Sequence, residues 1–342
     1  MLILAVESSC DETAVALVRD GRTVLADCIA SSVEMHKLYG GVVPEIASRK
    51  HIEVISQLAD QALAQAGVTR GDIDAVAVTY APGLIGAVLV GVSFAKAVAY
   101  ALGVPLIPVH HVRGHIAANY IAHPDLEPPF VCLCVSGGTS LIVDVKGYTD
   151  MAILGGTRDD AAGECFDKIA RVMGLGYPGG APLDRAAQGG GHQAFPLPRV
   201  TSRTPPLDMS FSGLKTAMLN LIHKAQQKGE ALPVADLAAS FSAAVSDELV
   251  PRTMAAARQT GYGKVAVVGG VAANSRIRRD LEAACQQAGC TLYLPPLKLC
   301  GDNGSMIGSQ GYYEYLAGTR GGEDLNGYAN RDISLPYRRE GV

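Results

Sequence analysis

The stretch from Met1 to Ala30, MLILAVESSCDETAVALVRDGRTVLADCIA, decides the fold. Leu2 to Val6 is a short apolar run and reads as a buried strand. Thr13 to Val18 reads as a second strand, Asp20-Gly21 as a two-residue hairpin turn, and Thr23 to Ala30 as a third strand. Pro44 then opens a helix, with Glu45 in its first turn, that runs to Gly67. Ala75 to Tyr80 is another strand, followed by Ala81-Pro82-Gly83 and an apolar helix from Leu84. Pro105 to Val109 is a strand leading into His110-His111.

Beyond a proline-rich stretch, His123-Pro124 to Pro128-Pro129, the chain starts over. Phe130 to Val135 is apolar, Ser136-Gly137-Gly138 is a turn, Ser140 to Val145 is apolar again, and a third strand follows near Met151 to Leu154. A helix spans roughly Asp160 to Gly174. Lys264 to Val268 is a strand, Gly269-Gly270 a turn, Asn274 to Ala288 a helix, Thr291 to Leu294 a strand and Asn303 to Ala317 a helix. Both halves thus run strand, turn, strand, strand, then helix and strand alternately. That order predicts an α/β protein with mixed sheets, helices on both faces, and a ligand cleft between two domains. The expected division is residues 1–128, with 305–342 packing back, and residues 129–304.

With 342 residues, 48% of them hydrophobic, the chain is long enough for two cores. Its 39 glycines cluster in short groups with no collagen-like period, which points to turns where backbone approaches something closely. A net charge of −4 makes a poor general nucleic-acid binder, so an RNA substrate would need a local basic patch or a partner protein. Arg49, Lys50, Arg276, Arg278, Arg279, Arg338 and Arg339 are the candidates for such contacts. The eight cysteines show no Cys-x-x-Cys spacing and read as reduced thiols of a cytoplasmic protein. No basic leader precedes the first apolar run. The stretch Leu84 to Leu102 is interrupted by Gly86, Gly91, Ser93 and Lys96, and reads as a buried helix rather than a membrane span.

His111 and His115 lie four apart, which on a helix puts both imidazoles on one face, able to share a metal ion. Read alone, the pair also fits a solvated helix face. Val112 stands where a zinc protease of the His-Glu-x-x-His type needs its general base. Asp302, in CGDNGSM, is the candidate third ligand, and capping of the following helix is its alternative. Two imidazoles and one carboxylate leave coordination positions open for substrate or water. The three are expected to meet across the gap between the domains.

Ser8-Ser9-Cys10-Asp11, Ser136-Gly137-Gly138 and Gly269 to Asn274 look like phosphate cradles, and the last precedes a helix. No Walker motif and no dinucleotide fingerprint occurs. Asp160, Glu164 and Asp167 share a helix face by spacing; they suit either a solvated surface or contact with ribose hydroxyls. Pro178-Gly179-Gly180 and Asp184 follow closely and can form another side of that pocket.

Taken together, ESSCDET (Glu7 to Thr13), HKLYGGVVPEIASRKH (His36 to His51), PGLIGAVLVG (Pro82 to Gly91), HHVRGH (His110 to His115), VSGG (Val135 to Gly138), DDAAGECFDK (Asp159 to Lys168), YPGG (Tyr177 to Gly180), FSGLKT (Phe211 to Thr216), GGVAAN (Gly269 to Asn274) and CGDNGSM (Cys300 to Met306) resemble the tRNA N6-adenosine threonylcarbamoyltransferases, once described as O-sialoglycoprotein endopeptidases. The resemblance implies two actin-like domains of the ASKHA, RNase H-like kind, related in fold to sugar and acetate kinases and Hsp70. It implies iron(II), or else zinc, on His111, His115 and Asp302. It implies an adenylate or ATP-type ligand on Cys134, Val135, Ser136, Gly137, Gly138, Asp167, Gly180, Asp184 and Asn274. The donor would be L-threonylcarbamoyladenylate, and the acceptor the adenosine 3′ of the anticodon in tRNAs reading codons that start with A. An inactive paralogue and a small ATPase would be partners, with no membrane involved. Two departures stand out: Thr139-Ser140 follow Ser-Gly-Gly directly where the family has His-Thr, and Gly301 stands where Thr is common. Glu12 is the candidate acceptor of the amine proton. A metallopeptidase, a small-molecule kinase of the same fold and a non-catalytic scaffold are the competing readings.

Overall fold

The computed structural model describes residues 1–198 and 206–337. The chain divides into two compact units: Met1–Pro128 with Lys146–Met151 and the chain from Pro295 onward, and Pro129–Val145 with Ala152–Leu294.

In the first unit β1 (Leu2–Glu7), β2 (Glu12–Arg19) and β3 (Thr23–Ser31) form an antiparallel meander. Asp20 and Gly21 turn the second hairpin with φ of 51° and 72°, the pair of positive values that the tightest hairpin turns demand. Helices α1 (Val33–Lys37) and α2 (Pro44–Ala66) follow, and α2 ends on Gly67 in the left-handed region. Then come β4 (Ala75–Ala81), α3 (Ile85–Leu102), β5 (Leu106–His110) and α4 (His111–Ala122). The sheet order is β3-β2-β1-β4-β5, with β4 parallel to both β1 and β5.

Every residue of β1 is buried, because both faces of the sheet are covered. Leu2, Leu4 and Val6 pack with Ile55, Leu58, Val88 and Val92 of α2 and α3. Ile3 and Ala5 face the other way, with Ala118 of α4 and with Met306 and Ile307 further along the chain. Helix α3 has the length and apolarity to cross a membrane. Its Val88, Val92, Ala95 and Ala99 nevertheless lie in this core, and Lys96 donates to the Leu325 carbonyl.

The second unit holds β6 (Phe130–Val135), β7 (Ser140–Val145), β8 (Met151–Gly156), α5 (Ala162–Val172), α6 (Gly180–Ala186), α7 (Ser212–Lys228), α8 (Val234–Thr260), β9 (Lys264–Val268), α9 (Ser275–Ala288) and β10 (Thr291–Tyr293). Its order, β8-β7-β6-β9-β10, repeats that of the first unit strand for strand. The chain then returns to the first unit with α10 (Gly304–Leu316). That return begins at Pro295 rather than at 305, so Asp302 belongs to the same unit as His111 and His115. The expectation that the three meet across a gap between domains is therefore corrected.

Candidate functional site

Helix α4 starts at His111, and its 3.6-residue period carries His115 to the same face one turn on. The two imidazoles stand edge to face with centroids 4.6 Å apart. Gly114 lies between them, where a Cβ would come within 2.6 Å of Ile307 in α10. Its missing side chain lets α4 lie close against α10, the helix that Asp302 precedes.

Asp302 is not the cap of α10. Asn303 takes that place, its Oδ1 accepting from Met306 N at 2.8 Å, and Asp27 of β3 accepts from the Gly304 and Ser305 amides. With capping done by others, the Asp302 carboxylate reaches the imidazoles. Its Oδ1 lies 3.5 Å from His111 Nε2 and 3.2 Å from His115 Nε2. The three ligand atoms lie within 4.8 Å of one another.

Glu7, at the end of β1, is fully buried and was not among the expected site residues. Its Oε2 lies 3.0 Å from His111 Nδ1 and accepts from Thr79 Oγ1 at 2.5 Å, while Oε1 accepts from Ser9 N at 2.5 Å. Ser9 Oγ lies 3.1 Å from the same His111 nitrogen. The carboxylate therefore holds Nδ1 and leaves Nε2 toward Asp302, the arrangement in which a carboxylate orients an imidazole for a metal. The sequence carried a signal for this: an acid closing an otherwise apolar, buried strand must have a partner.

The charges follow from this geometry. Burial disfavours the His111 imidazolium, but Glu7 and Asp302 outweigh burial and lift it to about 9. Burial likewise opposes the Asp302 carboxylate, yet the charge of His111 and the contact with His115 bring it down to about 2. Burial works to raise Glu7 too, and the His111 charge holds it below its ordinary value.

Two observations test whether a cation fits. His115 is 3% exposed, its Nδ1 has no hydrogen-bond partner, and its Nε2 lies 3.2 Å from the Asp302 carboxylate. A buried imidazole left so is costly, and a cation among the three side chains would satisfy it. The donor set, two imidazole nitrogens and a carboxylate oxygen, also suits iron or zinc. The residues fit the ion.

Glu12 opens β2, its Oε1 accepting from Ser31 Oγ at 3.1 Å. Burial, Asp11 and Asp302 push its carboxyl up to about 9. Burial and Asp11 also push the Cys10 thiol far up.

In the second unit the expected binding residues form turns around β6 and α5. Cys134 and Val135 end β6 and are buried. Ser136 N donates to Thr139 O at 2.8 Å, closing the turn through Gly137 and Gly138, and a Cβ on either glycine would meet open space. Gly163 N donates to Ser136 O, and Gly269, at φ 92°, lies where a Cβ would come within 2.3 Å of Val135 O. Asp167 Oδ1 accepts from Gly179 N at 2.7 Å, just before Gly180 opens α6. Asp184 Oδ1 accepts from Ser275 N and Oγ at 3.0 and 2.8 Å. Asn274 caps α9, its Oδ1 accepting from Arg276 N and Ile277 N at 3.1 Å each. Asp184, Ser275 and Arg276 also line a cavity of about 510 Å³ within this unit.

Some expected roles are taken by structure instead. Helix α5 starts at Ala162, so Asp160 lies before it and cannot share its face with Glu164 and Asp167. Asp160 pairs with Lys215 and Lys168, and Asp159 binds Ser210, Phe211 and Ser212 at the start of α7. Of the basic candidates, Lys50 pairs with Glu53, Arg276 with Asp280, and Arg278 Nε donates to Ala272 O. Arg279 lies 3.9 Å from Asp280, Arg49 is exposed, and Arg338 and Arg339 lie outside the described residues.

A relative named tRNA N6-adenosine threonylcarbamoyltransferase from Clostridium botulinum is 52% identical over 96% of each chain. One of the same name from Moorella thermoacetica is 54% identical over 92% of each. Among solved structures, full-length HypF in its phosphate- and nucleotide-bound form superposes with a TM-score of 0.60 at 15% identity, covering 96% of this chain and 47% of HypF. The activator of the 2-hydroxyisocaproyl-CoA dehydratase from Clostridium difficile gives 0.53 at 13% identity, covering 93% of this chain and 97% of the activator. At those identities the likeness speaks for the fold alone, which is α/β of the actin-like kind. The tRNA N6-adenosine threonylcarbamoyltransferase family matches residues 23–309, and this chain belongs to that family.

Proposed function

We propose that this chain transfers the threonylcarbamoyl group of L-threonylcarbamoyladenylate to N6 of the adenosine 3′ of the anticodon in tRNAs reading codons that start with A. The observation that carries the reading is a triad of His111, His115 and Asp302, with ligand atoms within 4.8 Å of one another, in a chain of this family. N6 attacks the carbamoyl carbon, the bond from that carbon to the phosphate oxygen breaks, and AMP leaves with the bonding pair. N6 is a weak nucleophile and AMP a good leaving group, so the protein's task is orientation and charge stabilisation.

Metal dependence is part of the proposal, with iron(II) favoured over zinc. When bound at His111, His115 and Asp302, the ion supplies a Lewis acid for an oxygen of the donor. Glu7 and Ser9 hold the His111 ring so that Nε2 stays with the other two ligands. In the second unit, the turn Ser136 to Gly138, with Cys134, Val135, Gly180 and Asn274, would take the AMP phosphate. Asp167 and Asp184 would take its sugar, and the cavity beside Asp184 offers room for the rest of the nucleotide. Glu12 would receive the proton from N6, and for that its carboxyl must first ionise. An added positive charge near Asp302 favours ionisation.

The acidic chain fits partners that help hold tRNA, an inactive paralogue and a small ATPase, and its free cysteines fit a cytoplasmic setting. The test is incubation with L-threonylcarbamoyladenylate, ATP, unmodified tRNA and those partners, followed by nucleoside mass analysis. N6-threonylcarbamoyladenosine is expected; its absence with active partners would overturn the reading.

A further inference from the structure

We propose that His110 is a positioning residue for the metal triad and that it acts through a C-terminal strap, residues 319–337. The proposal rests on the reading of His111, His115 and Asp302 as metal ligands.

His110 is both the last residue of β5 and the cap of α4. Its Nδ1 accepts from Val112 N at 3.2 Å, and its Nε2 lies 3.0 Å from Arg331 O. An accepting Nδ1 requires the proton on Nε2, which then donates to the carbonyl. One ring thus ties the first turn of α4 to the strap. Three residues on, Arg113 repeats the grip. Its Nε and Nη2 donate to Ile333 O at 3.0 and 2.7 Å, and its Nη1 to Glu314 at 2.9 Å. His111 stands between these two attachments.

The strap is itself anchored to the first unit. Gly321 N donates to Leu106 O, Tyr328 N to Tyr80 O, and Leu325 and Ile333 are 3% and 2% exposed. It also reaches the triad by a second route. Gly83 N donates to Ala329 O, its neighbour Leu84 N donates to Ser9 O, and Ser9 Oγ meets His111 Nδ1. A chain segment some two hundred residues beyond the histidines therefore braces both the backbone before His111 and the loop that holds its ring. A loose strap would let the start of α4 shift, and three ligands that must converge on one ion tolerate little shift.

Two full-length variants separate this role from simple helix capping. His110→Asn keeps a side chain able to cap α4 but too short to reach Arg331 O. Ile333→Ala removes a buried strap side chain while leaving every residue of α4 and the Ile333 carbonyl that Arg113 binds unchanged in kind. The metal-free proteins would be titrated with Zn2+ and, without oxygen, with Fe2+, and their melting followed in parallel. Both variants should stay folded at the titration temperature and bind each ion roughly tenfold or more weakly. His110→Asn with wild-type affinity would show that capping is all His110 does, and Ile333→Ala with wild-type affinity would show that the strap does not reach the triad. Either result overturns the inference. A wild-type protein that binds neither ion overturns the metal reading itself.

Discussion

The two units place a turn at the same point of the same sheet order and fill it with opposite chemistry. After β1 the chain reads Ser8-Ser9-Cys10-Asp11, behind the buried Glu7; after β6 it reads Ser136-Gly137-Gly138. In the first unit side chains do the work. Glu7, Ser9 and Thr79 form a hydrogen-bonded set around His111 Nδ1. In the second, the turn carries Gly137 and Gly138, where a Cβ would meet open space, and Ser136 N closes it on Thr139 O. The same strand order thus carries buried polar side chains beside its first turn in one unit and glycines at the matching turn in the other.

The sharpest way to break this comparison is to remove a ligand on the side-chain half. His111→Ala or Asp302→Ala should abolish stoichiometric metal binding and lower transfer by about a thousandfold, the worth of several kcal/mol of charge stabilisation. Metal analysis and nucleoside mass analysis check this, and full activity in metal-stripped wild type would count against the triad.

On the backbone half, Gly269→Ala should cost roughly 2–3 kcal/mol, because its φ of 92° and ψ of 167° are open essentially to glycine alone and the methyl would meet Val135 O. Gly270→Ala, which meets open space, should leave the melting midpoint nearly unchanged. Equal midpoints for the two variants would remove the argument from close backbone approach.

Glu12→Ala should lower the transfer rate by about a hundredfold if Glu12 takes the N6 proton. A wild-type rate would exclude that role. Glu7→Gln keeps the shape but not the charge, and should weaken metal binding by roughly tenfold.

The smallest effect is on pH dependence. In the metal-free protein His111 is raised from 6.5 to about 9, so its pairing contributes fully below 6.5 and is lost as pH rises through 9. Asp302 is depressed from 3.8 to about 2; its contribution is present above 3.8 and lost as pH falls through 2. The melting midpoint without metal should fall by a few degrees between pH 6.5 and 9, and His111→Asn should lack that fall.

The sheet meanders were legible because their signals are local: apolar runs of strand length, the Asp20-Gly21 turn, and glycines at helix ends such as Gly67 and Gly289. Helices α7 and α8 gave no comparable signal. Helix α8 is buried on most of its surface from Leu237 to Ala257 and carries Pro251 inside it, so no single apolar stripe marks it out. The acids before α5 misled for a related reason. Spacing shows which residues would share a face once a helix exists, but the helix begins two residues after Asp160, whose charge Lys215 takes up.

The sequence by itself determined the fold class and the family resemblance and named the three candidate ligand residues, since these rest on periodicity, on motif order and on residue types whose chemistry is intrinsic. Only the tertiary structure decided that Asp302 shares a unit with the histidines, that Asn303 and Asp27 free it from capping, and that Glu7 fixes the His111 ring. Each of those facts depends on contacts between residues far apart in the chain. Their energies come from burial and desolvation, which no local pattern encodes.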